Sequence, residues 1–236
     1  MKYLKLCAVA AAITSVPASA ATFDAFSSFN GTQLAGNFIY GEVNPAQPNT
    51  PGTFFTANTN CFISGSICLQ RAPNFDVPGV TKSTVPSFQY NSVNVPTDRL
   101  LAHPGNDSNQ TFLAFVAPIA GVYNLIASFN IQDIRPSGVG INLIETTNGA
   151  TPFIFTPLAT ITGASPSYSF AGSFTLIQGQ AVGFGLDNAG FYGNDSTGVN
   201  LSVSSVPEAG SWAMMIAGFG LVGGMARRRS TRVVHA

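Results

Sequence analysis

Residues 110–205 alternate apolar and polar side chains with a period of two. In GVYNLIASFNI, one face would carry Tyr123, Leu125, Ala127, Phe129 and Ile131. This period is typical of a β-strand with one buried face, and nothing in the region sustains the 3.6-residue period of a helix. The segments that share the pattern are TFLAFVA, GVYNLIASFNI, GVGINLIE, TPFIFT, SYSFAGSFTL, QAVGFGL and GVNLSVS.

Turn-forming pairs separate these seven segments. Ala120-Gly121, Asn148-Gly149 and Gln178-Gly179 lie between them, where glycine and asparagine favour tight turns. The regular spacing predicts an all-β fold for residues 21–205. We expect an antiparallel β-sandwich with a jelly-roll-like layout and alternate residues facing its core.

Residues 22–105 are less regular and richer in proline and asparagine. The segment FDAFSSFNGTQLAGNFIYGEV predicts a hairpin whose second strand carries Phe38 and Tyr40, and VPSFQYNSVNV predicts one further strand. This part has too few alternating strands to close a pair of sheets of its own. We therefore expect it to add edge strands and long loops to the same sandwich.

The first twenty residues have the pattern of a secretory signal peptide. MKYLKLCAVAAAITSVPASA begins with Lys2 and Lys5, continues with an apolar run and ends in Ala18-Ser19-Ala20. A charged start, a short apolar region and an A-x-A end are the parts of such a signal. We expect a signal helix within residues 1–20, cleavage between Ala20 and Ala21, and export of the remainder.

The charge of the remaining chain excludes one class of partner. Residues 21–206 hold four basic and nine acidic residues, a net charge of −5. This balance, with no basic patch, argues against binding nucleic acid through its phosphates. Only 8% of all residues are charged, against about 25% in a typical soluble domain, which suits a secreted β protein with a hydroxyl- and amide-rich surface.

Two cysteines remain after removal of the signal peptide. Cys61 and Cys68 lie in CFISGSIC, separated by six residues. Outside the cytoplasm, such a pair most simply forms a disulfide that closes a small loop. A metal site is the alternative, but further cysteine or histidine ligands are absent from the neighbouring sequence.

The end of the chain has the pattern of a membrane segment. Residues 211–226 carry no charge, and Arg227, Arg228 and Arg229 follow directly. Sixteen helical residues span about 24 Å, somewhat less than the ~30 Å hydrocarbon core, and Trp212 and the arginines can sit at the two interfaces. We predict a transmembrane helix at 211–226 with the arginines on the cytoplasmic side; a buried core helix is the alternative.

The same stretch, VPEAGSWAMMIAGFGLVGGMARRR, resembles the C-terminal sorting segment of bacterial PEP-CTERM proteins, above all in its WAMMIAGFG core. In this chain Ala209 replaces the second proline of the Pro-Glu-Pro motif. The resemblance implies that an exosortase in the inner membrane recognises residues 206–232 and cuts near the Pro-Glu pair. The sorting residues would be Pro207, Glu208, Trp212, Arg227, Arg228 and Arg229.

A second resemblance concerns the body. The segments HPG, APIAGVYNLIASF and NAGFYGNDSTGVNLSVS are similar to a β-sandwich module found ahead of PEP-CTERM tails. That module is similar in layout to carbohydrate-binding jelly rolls. The resemblance implies a fold and a location and assigns no chemistry.

The loop DNAGFYGNDSTG is the most suggestive candidate for a ligand site. Its carboxylate and amide oxygens suit calcium, and its rings can stack on sugars, but Asx and Gly residues are also what tight turns require. The spacing fits no EF-hand pattern, so calcium, a sugar contact and a plain turn all stay open. The residues concerned are Asp187, Asn188, Phe191, Tyr192, Asn194 and Asp195.

No group of residues predicts catalysis. His103, the only histidine of the body, lies beside Pro104 and Gly105, which favours a turn or cap role. A GxSxG motif is absent, and the nine acids are scattered singly, whereas hydrolysis needs a nucleophile with its base or a pair of carboxylates. We predict no catalytic residue, no metal cluster and no cofactor besides the calcium candidate.

These observations lead to one expected function and two alternatives. We expect an exported, non-enzymatic protein of a Gram-negative cell envelope, held transiently in the inner membrane and then displayed or released. The PEP-CTERM resemblance implies a structural or adhesive role associated with exopolysaccharide. A carbohydrate-binding module with a defined sugar site and a secreted hydrolase are the alternatives.

Overall fold

The computed structural model of the 236-residue chain describes residues 20–58, 61, 63–71, 78–146, 151–207, 216–224 and 227. Strands dominate the described residues, which also contain a short helix, α1 (Ala25–Ser28), a 3-10 turn at Ala35–Asn37 and a helical segment at 216–224. The strands are β1 (Thr22–Asp24), β2 (Phe38–Val43), β3 (Thr53–Phe54), β4 (Thr56–Asn58), β5 (Ser66–Gln70), β6 (Gly79–Ser83), β7 (Phe88–Tyr90), β8 (Val93–Val95), β9 (Leu100–His103), β10 (Gln110–Val116), β11 (Gly121–Ile131), β12 (Val139–Thr146), β13 (Phe153–Ile161), β14 (Ser167–Leu176), β15 (Ala181–Asp187) and β16 (Thr197–Val206).

Two antiparallel sheets form the body. Sheet A has the order β14-β11-β16-β9-β6-β5-β4, and β1 also pairs with β16; sheet B has the order β13-β12-β15-β10-β2-β3. Both sheets contribute to one apolar core, as in a sandwich. The predicted all-β antiparallel sandwich is confirmed, whereas its jelly-roll detail stays a prediction.

The seven strands predicted from alternation are confirmed as β10 to β16. On β11, the predicted inward residues Tyr123, Leu125, Ala127 and Phe129 are buried, and Ile131 is half-buried. The inward face of β14 is mostly half-buried, because β14 is the edge strand of sheet A. Alternation therefore identified the buried face correctly on both strands.

The centre of the core is aromatic and joins the two sheets. Phe184 of β15 lies 5.0 Å from Phe129 of β11 and 5.2 Å from Phe170 of β14, measured between ring centroids and with T-shaped geometry. Phe184 has no exposed surface. Because β15 belongs to sheet B and the other two strands to sheet A, these contacts hold the sheets together.

The predicted hairpin at residues 23–43 is wrong. β1 pairs with β16 in sheet A, whereas β2, which carries the buried Phe38 and Tyr40, pairs with β10 and β3 in sheet B. The physical reason lies at Asp24, whose carboxylate accepts a 2.7 Å hydrogen bond from the Ser27 amide and caps α1. The chain thus leaves sheet A in a helical turn and enters the other sheet.

The single strand predicted at residues 85–95 is also wrong. Two short strands, β7 and β8, form a separate antiparallel hairpin. Asn91 occupies the turn with a φ of 52°, a left-handed conformation that asparagine tolerates well. Val93 and Val95 of this hairpin pack with Ile63 and Leu101 in a small second cluster.

The remaining strands of residues 22–105 extend both sheets. β4, β5 and β6 form one end of sheet A, and β3 forms one edge of sheet B, as predicted for edge strands. β2 and β9 instead lie inside their sheets. Ala21–Val206 group together as one compact unit.

The terminal segments are described only in part. Residues 216–224 are helical, while residues 211–215, 225 and 226 of the predicted membrane helix lie outside the described residues, as do residues 1–19 of the predicted signal helix. Over the described ranges, no helix is both long enough and apolar enough to cross a bilayer. The two terminal helices stay predictions.

Candidate functional site

The candidate ligand loop connects β15 to β16. Its first two residues, Asp187 and Asn188, form hydrogen bonds with other residues of the chain. The Asp187 carboxylate accepts hydrogen bonds from the Asn142 side chain at 3.0 Å and from the Ala189 amide at 2.9 Å. The Asn188 side chain donates to the Gly105 carbonyl at 3.0 Å and accepts from the Gly190 amide at 3.0 Å. Both residues therefore shape the loop.

The two aromatic residues of the loop lie at the surface. Phe191 is 61% exposed and Tyr192 is 40% exposed, and their ring centroids are 6.0 Å apart. Exposed neighbouring rings of this kind can stack on an apolar or sugar surface. Nothing within the loop covers them.

Asp195, at the end of the loop, is completely buried. Its Oδ1 accepts hydrogen bonds from the Ser137 hydroxyl at 2.5 Å and from the Gly138 amide at 3.2 Å. Its Oδ2 accepts none from the described residues. Burial raises the pKa of this carboxyl to about 6, although the hydrogen bonds from Ser137 and Gly138 oppose the shift.

Asn194 lies between the exposed rings and the buried carboxylate. Its backbone has a φ of 64°, and its side-chain oxygen lies 3.2 Å from the Ser92 hydroxyl oxygen. That hydroxyl has one proton and is closer to the Asp133 carboxylate, at 2.6 Å. The four oxygen ligands predicted for calcium thus have different partners, and in the described residues no three His, Cys, Asp or Glu side chains cluster as metal ligands would.

A cleft of about 680 Å³ lies beside the start of the loop. Asp187 faces Gly140 on the adjacent strand, where a Cβ would overlap the carboxylate. The ladder between β12 and β13 is interrupted by a bulge next to Asn142, and bulges often redirect side chains at sheet edges. The cleft is lined by Gly140, Ile141, Asn142, Pro157, Leu158, Ala159, Thr160, Asp187 and Ala189.

Sequence reasoning found only Asp187 among the residues of this cleft. The predicted strand TPFIFT ended before Pro157, whereas β13 continues through it to Ile161. A proline inside a run of strand-forming residues signals an edge strand or a bulge, and β13 is an edge strand. That signal was readable in the sequence; the approach of Asn142 to Asp187 was not.

Two acidic residues that are far apart in sequence meet at one arginine. Arg71 Nη1 lies 3.0 Å from the buried Glu42 carboxylate and also contacts the Asp107 carboxylate. Burial is the main cause that raises the pKa of Glu42, and the positive charge of Arg71 opposes it. The view that the acids are scattered singly is therefore corrected here, since Arg71 holds two carboxylates in one ion cluster.

His103 ends β9 and is largely buried. The His103 Nδ1 atom lies 2.6 Å from the Pro104 carbonyl oxygen. The backbone carbonyl of His103 accepts a 2.9 Å hydrogen bond from the Thr111 hydroxyl. Burial lowers the pKa of the imidazole. These contacts join β9 to the segment that leads into β10.

The predicted disulfide is present. Cys61 and Cys68 are bonded, with their Cα atoms 5.7 Å apart. Cys68 is a buried residue of β5, and Cys61 lies in the connection from β4. The bond closes the hairpin at one end of sheet A.

The processing residues are described in part. Ala20 and Ala21 are exposed, and the Ala21 amide donates to the Ser205 hydroxyl at 2.9 Å, just before β1 begins. Pro207 follows the last residue of β16, and Arg227 is exposed and helical. Glu208, Trp212, Arg228 and Arg229 lie outside the described residues.

Comparison with known families identifies the tail. Residues 205–230 match the PEP-CTERM protein-sorting motif. The chain therefore carries the sorting signal that an exosortase-like enzyme processes on exported surface proteins. No curated protein matches the chain in sequence.

Several solved structures show a distant similarity to this chain. The globular domain of zebrafish complement 1qA protein is 15% identical, over 55% of this chain and 94% of that chain, with a TM-score of 0.31. A family 35 carbohydrate-binding module from Clostridium thermocellum is 14% identical, over 80% and 100%, with a TM-score of 0.29. The PRD1 vertex protein P5 is 9% identical, over 72% and 96%, with a TM-score of 0.29. Similarity at this level carries no conclusion about the fold of the chain or about what it binds.

Proposed function

We propose that this protein is a non-enzymatic component of the bacterial cell surface or extracellular matrix. A signal peptide exports it, residues 211–226 hold it in the inner membrane, and an exosortase-like enzyme cuts near Pro207 and Glu208. The sandwich is then displayed or released, where it serves a structural or adhesive role together with exopolysaccharide.

The sorting motif at residues 205–230 is the observation that carries this proposal. It begins on the last two residues of β16, so the fold of the body ends where the motif starts. Proline cannot donate to a β-ladder and disfavours continuation of the strand. In the sequence, the Pro-Glu pair thus comes directly after the last strand of the folded body.

The physical character of the tail supports membrane retention. Four large apolar side chains of the helical segment 216–224 are between 66% and 72% exposed, namely Ile216, Phe219, Leu221 and Val222. Exposed apolar side chains on a helix are stabilised by transfer to lipid. The arginines at 227–229 favour the cytoplasmic side, and this leaves the body outside.

The outer face of sheet A supports contact with a neutral polymer. On β14, β11 and β16, side chains alternate between the core and the outside, and none of the outward positions is charged. Hydroxyl and amide groups can exchange hydrogen bonds with sugar hydroxyls without the cost of desolvating a charge. The outward residues include Ser169, Ser173, Thr175, Asn124, Ile126, Ser128, Asn200, Ser202 and Ser204.

The arginine block provides the test of membrane topology. Replacing Arg227, Arg228 and Arg229 by glutamate should release or misorient the tail, because the positive charges hold it on the cytoplasmic side. Replacing the same three residues by lysine keeps the charge and is the matched control. Fractionation of cells lacking processing activity measures the membrane-bound share. Equal retention of the glutamate and lysine variants would refute the proposed topology.

The cleft beside Asp187 favours a second candidate, a defined sugar site. It combines a carboxylate and an amide with two exposed rings in the adjoining loop. A concave site with a small number of polar groups is typical of ligand binding. Affinity electrophoresis in gels containing purified exopolysaccharide should show retardation that Asp187→Asn reduces and Asp98→Asn, on the exposed Asp98, leaves unchanged. Equal retardation of both variants would exclude the cleft.

A further inference from the structure

We propose that the loops at residues 133–138 and 191–195 bind a calcium ion. Its ligands are the Asp195 carboxylate, the Ser137 hydroxyl and the backbone carbonyl oxygens of Phe191 and Gly193. The site is distinct from the cleft and from the sorting tail, and it would exist whether or not the protein binds sugar.

The Ser137 hydroxyl has too many acceptors around it. Its Oγ lies 2.9 Å from the Phe191 carbonyl oxygen, 2.5 Å from the Gly193 carbonyl oxygen and 2.5 Å from Asp195 Oδ1. A serine hydroxyl has one proton, so it can satisfy one of these three oxygens at a time. The other two oxygens lie within hydrogen-bond distance of Oγ but have no proton of this hydroxyl to accept. A cation bound among the four oxygens would supply the positive charge that the single proton does not.

The carboxylate of the cluster lacks a counter-charge. Asp195 is fully buried, its Oδ2 accepts no hydrogen bond from the described residues, and it takes part in none of the salt bridges found among them. A buried, unpaired carboxylate is unfavourable and is normally neutralised by a proton, a basic residue or a metal.

The chemistry of the oxygens selects calcium. Ca²⁺ binds six to eight carboxylate, carbonyl, hydroxyl and water oxygens, and the cluster offers Asp195 Oδ1, two carbonyls and one hydroxyl, while Oδ2 of the same carboxylate has no hydrogen bond from the described residues. Ser137 is exposed, so water can complete the shell. The set has neither the nitrogen nor the sulfur ligands that zinc prefers. With a single carboxylate, we expect a Kd of about 10⁻⁴–10⁻³ M, as in extracellular modules.

The ligands differ from those suggested by the sequence. Asp187, Asn188 and Asn194 have other partners, and only Asp195 is common to both sets. The Phe191 and Gly193 carbonyls stand on either side of Tyr192. An ion bound to both would therefore fix the segment that presents the two exposed rings.

Terbium luminescence and thermal unfolding test the site in the exported protein, after treatment with EGTA and dialysis. Tyr192 lies between two ligand residues, so Tb³⁺ emission excited through tyrosine should rise to saturation and fall when Ca²⁺ is added. Calcium at a hundredfold excess over Kd should raise Tm by about 5–10 °C. Magnesium should be much weaker, because it requires a stricter octahedral shell.

Four variants localise the ion. Asp195→Asn should weaken calcium binding on the order of 100-fold, and Ser137→Ala, at an exposed residue, should weaken it about tenfold. Asp98→Asn is the control, because Asp98 is exposed and pairs with Arg99 away from this loop, and this variant should bind calcium as the wild type does. Tyr192→Phe should lose terbium emission and keep the calcium-dependent rise in Tm.

Two results would overturn the proposal. One is the absence of any calcium-dependent change in Tm up to about 10 mM, well above the expected Kd. The other is calcium binding by Asp195→Asn that equals that of the wild type. If Asp195→Asn does not fold, wild-type affinity in Ser137→Ala overturns the proposed site.

Discussion

At the scale of single residues, Phe184 is one of the side chains that join the two sheets. It belongs to sheet B, its side chain is fully buried, and it contacts aromatic rings of two strands in sheet A. Neighbouring side chains cannot collapse fully into the space left by a phenyl ring in such a place.

Phe184→Ala should therefore lower the free energy of unfolding by about 3–5 kcal/mol. Phe191→Ala is the matched control, since its ring is 61% exposed and its loss should cost little. Urea unfolding of both variants measures the difference. Similar midpoints for the two would contradict the assigned core.

His103 gives the protein a predictable response to pH. Burial holds its pKa below the ordinary value of 6.5, and the Pro104 carbonyl and the charge of Asp133 oppose only part of that shift. The unfolded chain therefore binds a proton more readily than the folded one as pH falls below 6.5. Stability from this group is present above pH 6.5 and is lost as the pH falls.

His103→Gln should make unfolding less sensitive to pH between 7 and 5. Glutamine retains a donor for the Pro104 carbonyl and does not titrate. Thermal unfolding of the wild type and the variant across this pH range gives the slope of Tm against pH for each protein. If the wild type loses no more stability than the variant toward pH 5, the assignment to His103 fails.

At the scale of elements, a glycine in β15 allows this strand to pack closely against β10. Gly183 pairs with Ala114 of β10, and a Cβ there would overlap the Leu113 carbonyl oxygen and the Ala114 side chain. The glycine allows neighbouring backbone and side chain to approach. Its place in an alternating run reflects close approach rather than a turn.

Gly183→Ala should destabilise the protein by about 1–3 kcal/mol through overpacking. Gly121→Ala is the matched control, because the nearest atom to its Cβ would be 3.8 Å away, and its effect should stay below about 1 kcal/mol. Urea midpoints measure both. If Gly183→Ala lowers the free energy of unfolding less than Gly121→Ala does, the close packing of β10 against β15 is contradicted.

The disulfide stabilises the hairpin formed by β4 and β5. Cys61 and Cys68 are seven positions apart, and closing so short a loop stabilises by about 2–3 kcal/mol. Reduction should lower Tm by about 5–10 °C. The same reductant should leave the Tm of the Cys61→Ala/Cys68→Ala double variant unchanged, and an unchanged wild-type Tm would contradict the bond.

At the scale of the whole molecule, the sequence predicts best what depends on local periodicity. Leu125 and Phe129 alternate with polar residues because one face of β11 is buried, and that pattern survives in the sequence. The cysteine spacing was equally readable. The helical turn at Asp24 also left a signal, since aspartate is a preferred N-cap residue at a helix start, but the strand-like pattern around it suggested a hairpin.

The candidate site depends on contacts that no local pattern records. Ser137 and Asp195 are 58 positions apart, and they meet because the loops before β12 and β16 lie together. Likewise, Arg71 brings Glu42 and Asp107 into one cluster from distant segments. Sequence spacing predicts the type of residue available, while the fold decides which residues meet.

The central claim is that the sandwich is exported and that its two ends are processed. Mass spectrometry of the exported protein tests this most directly, because it identifies both termini in one measurement. The account predicts a chain that begins at Ala21 and ends close to Pro207 and Glu208. An intact 236-residue chain in the cytosolic fraction, still bearing its first twenty residues and its arginine block, would contradict it.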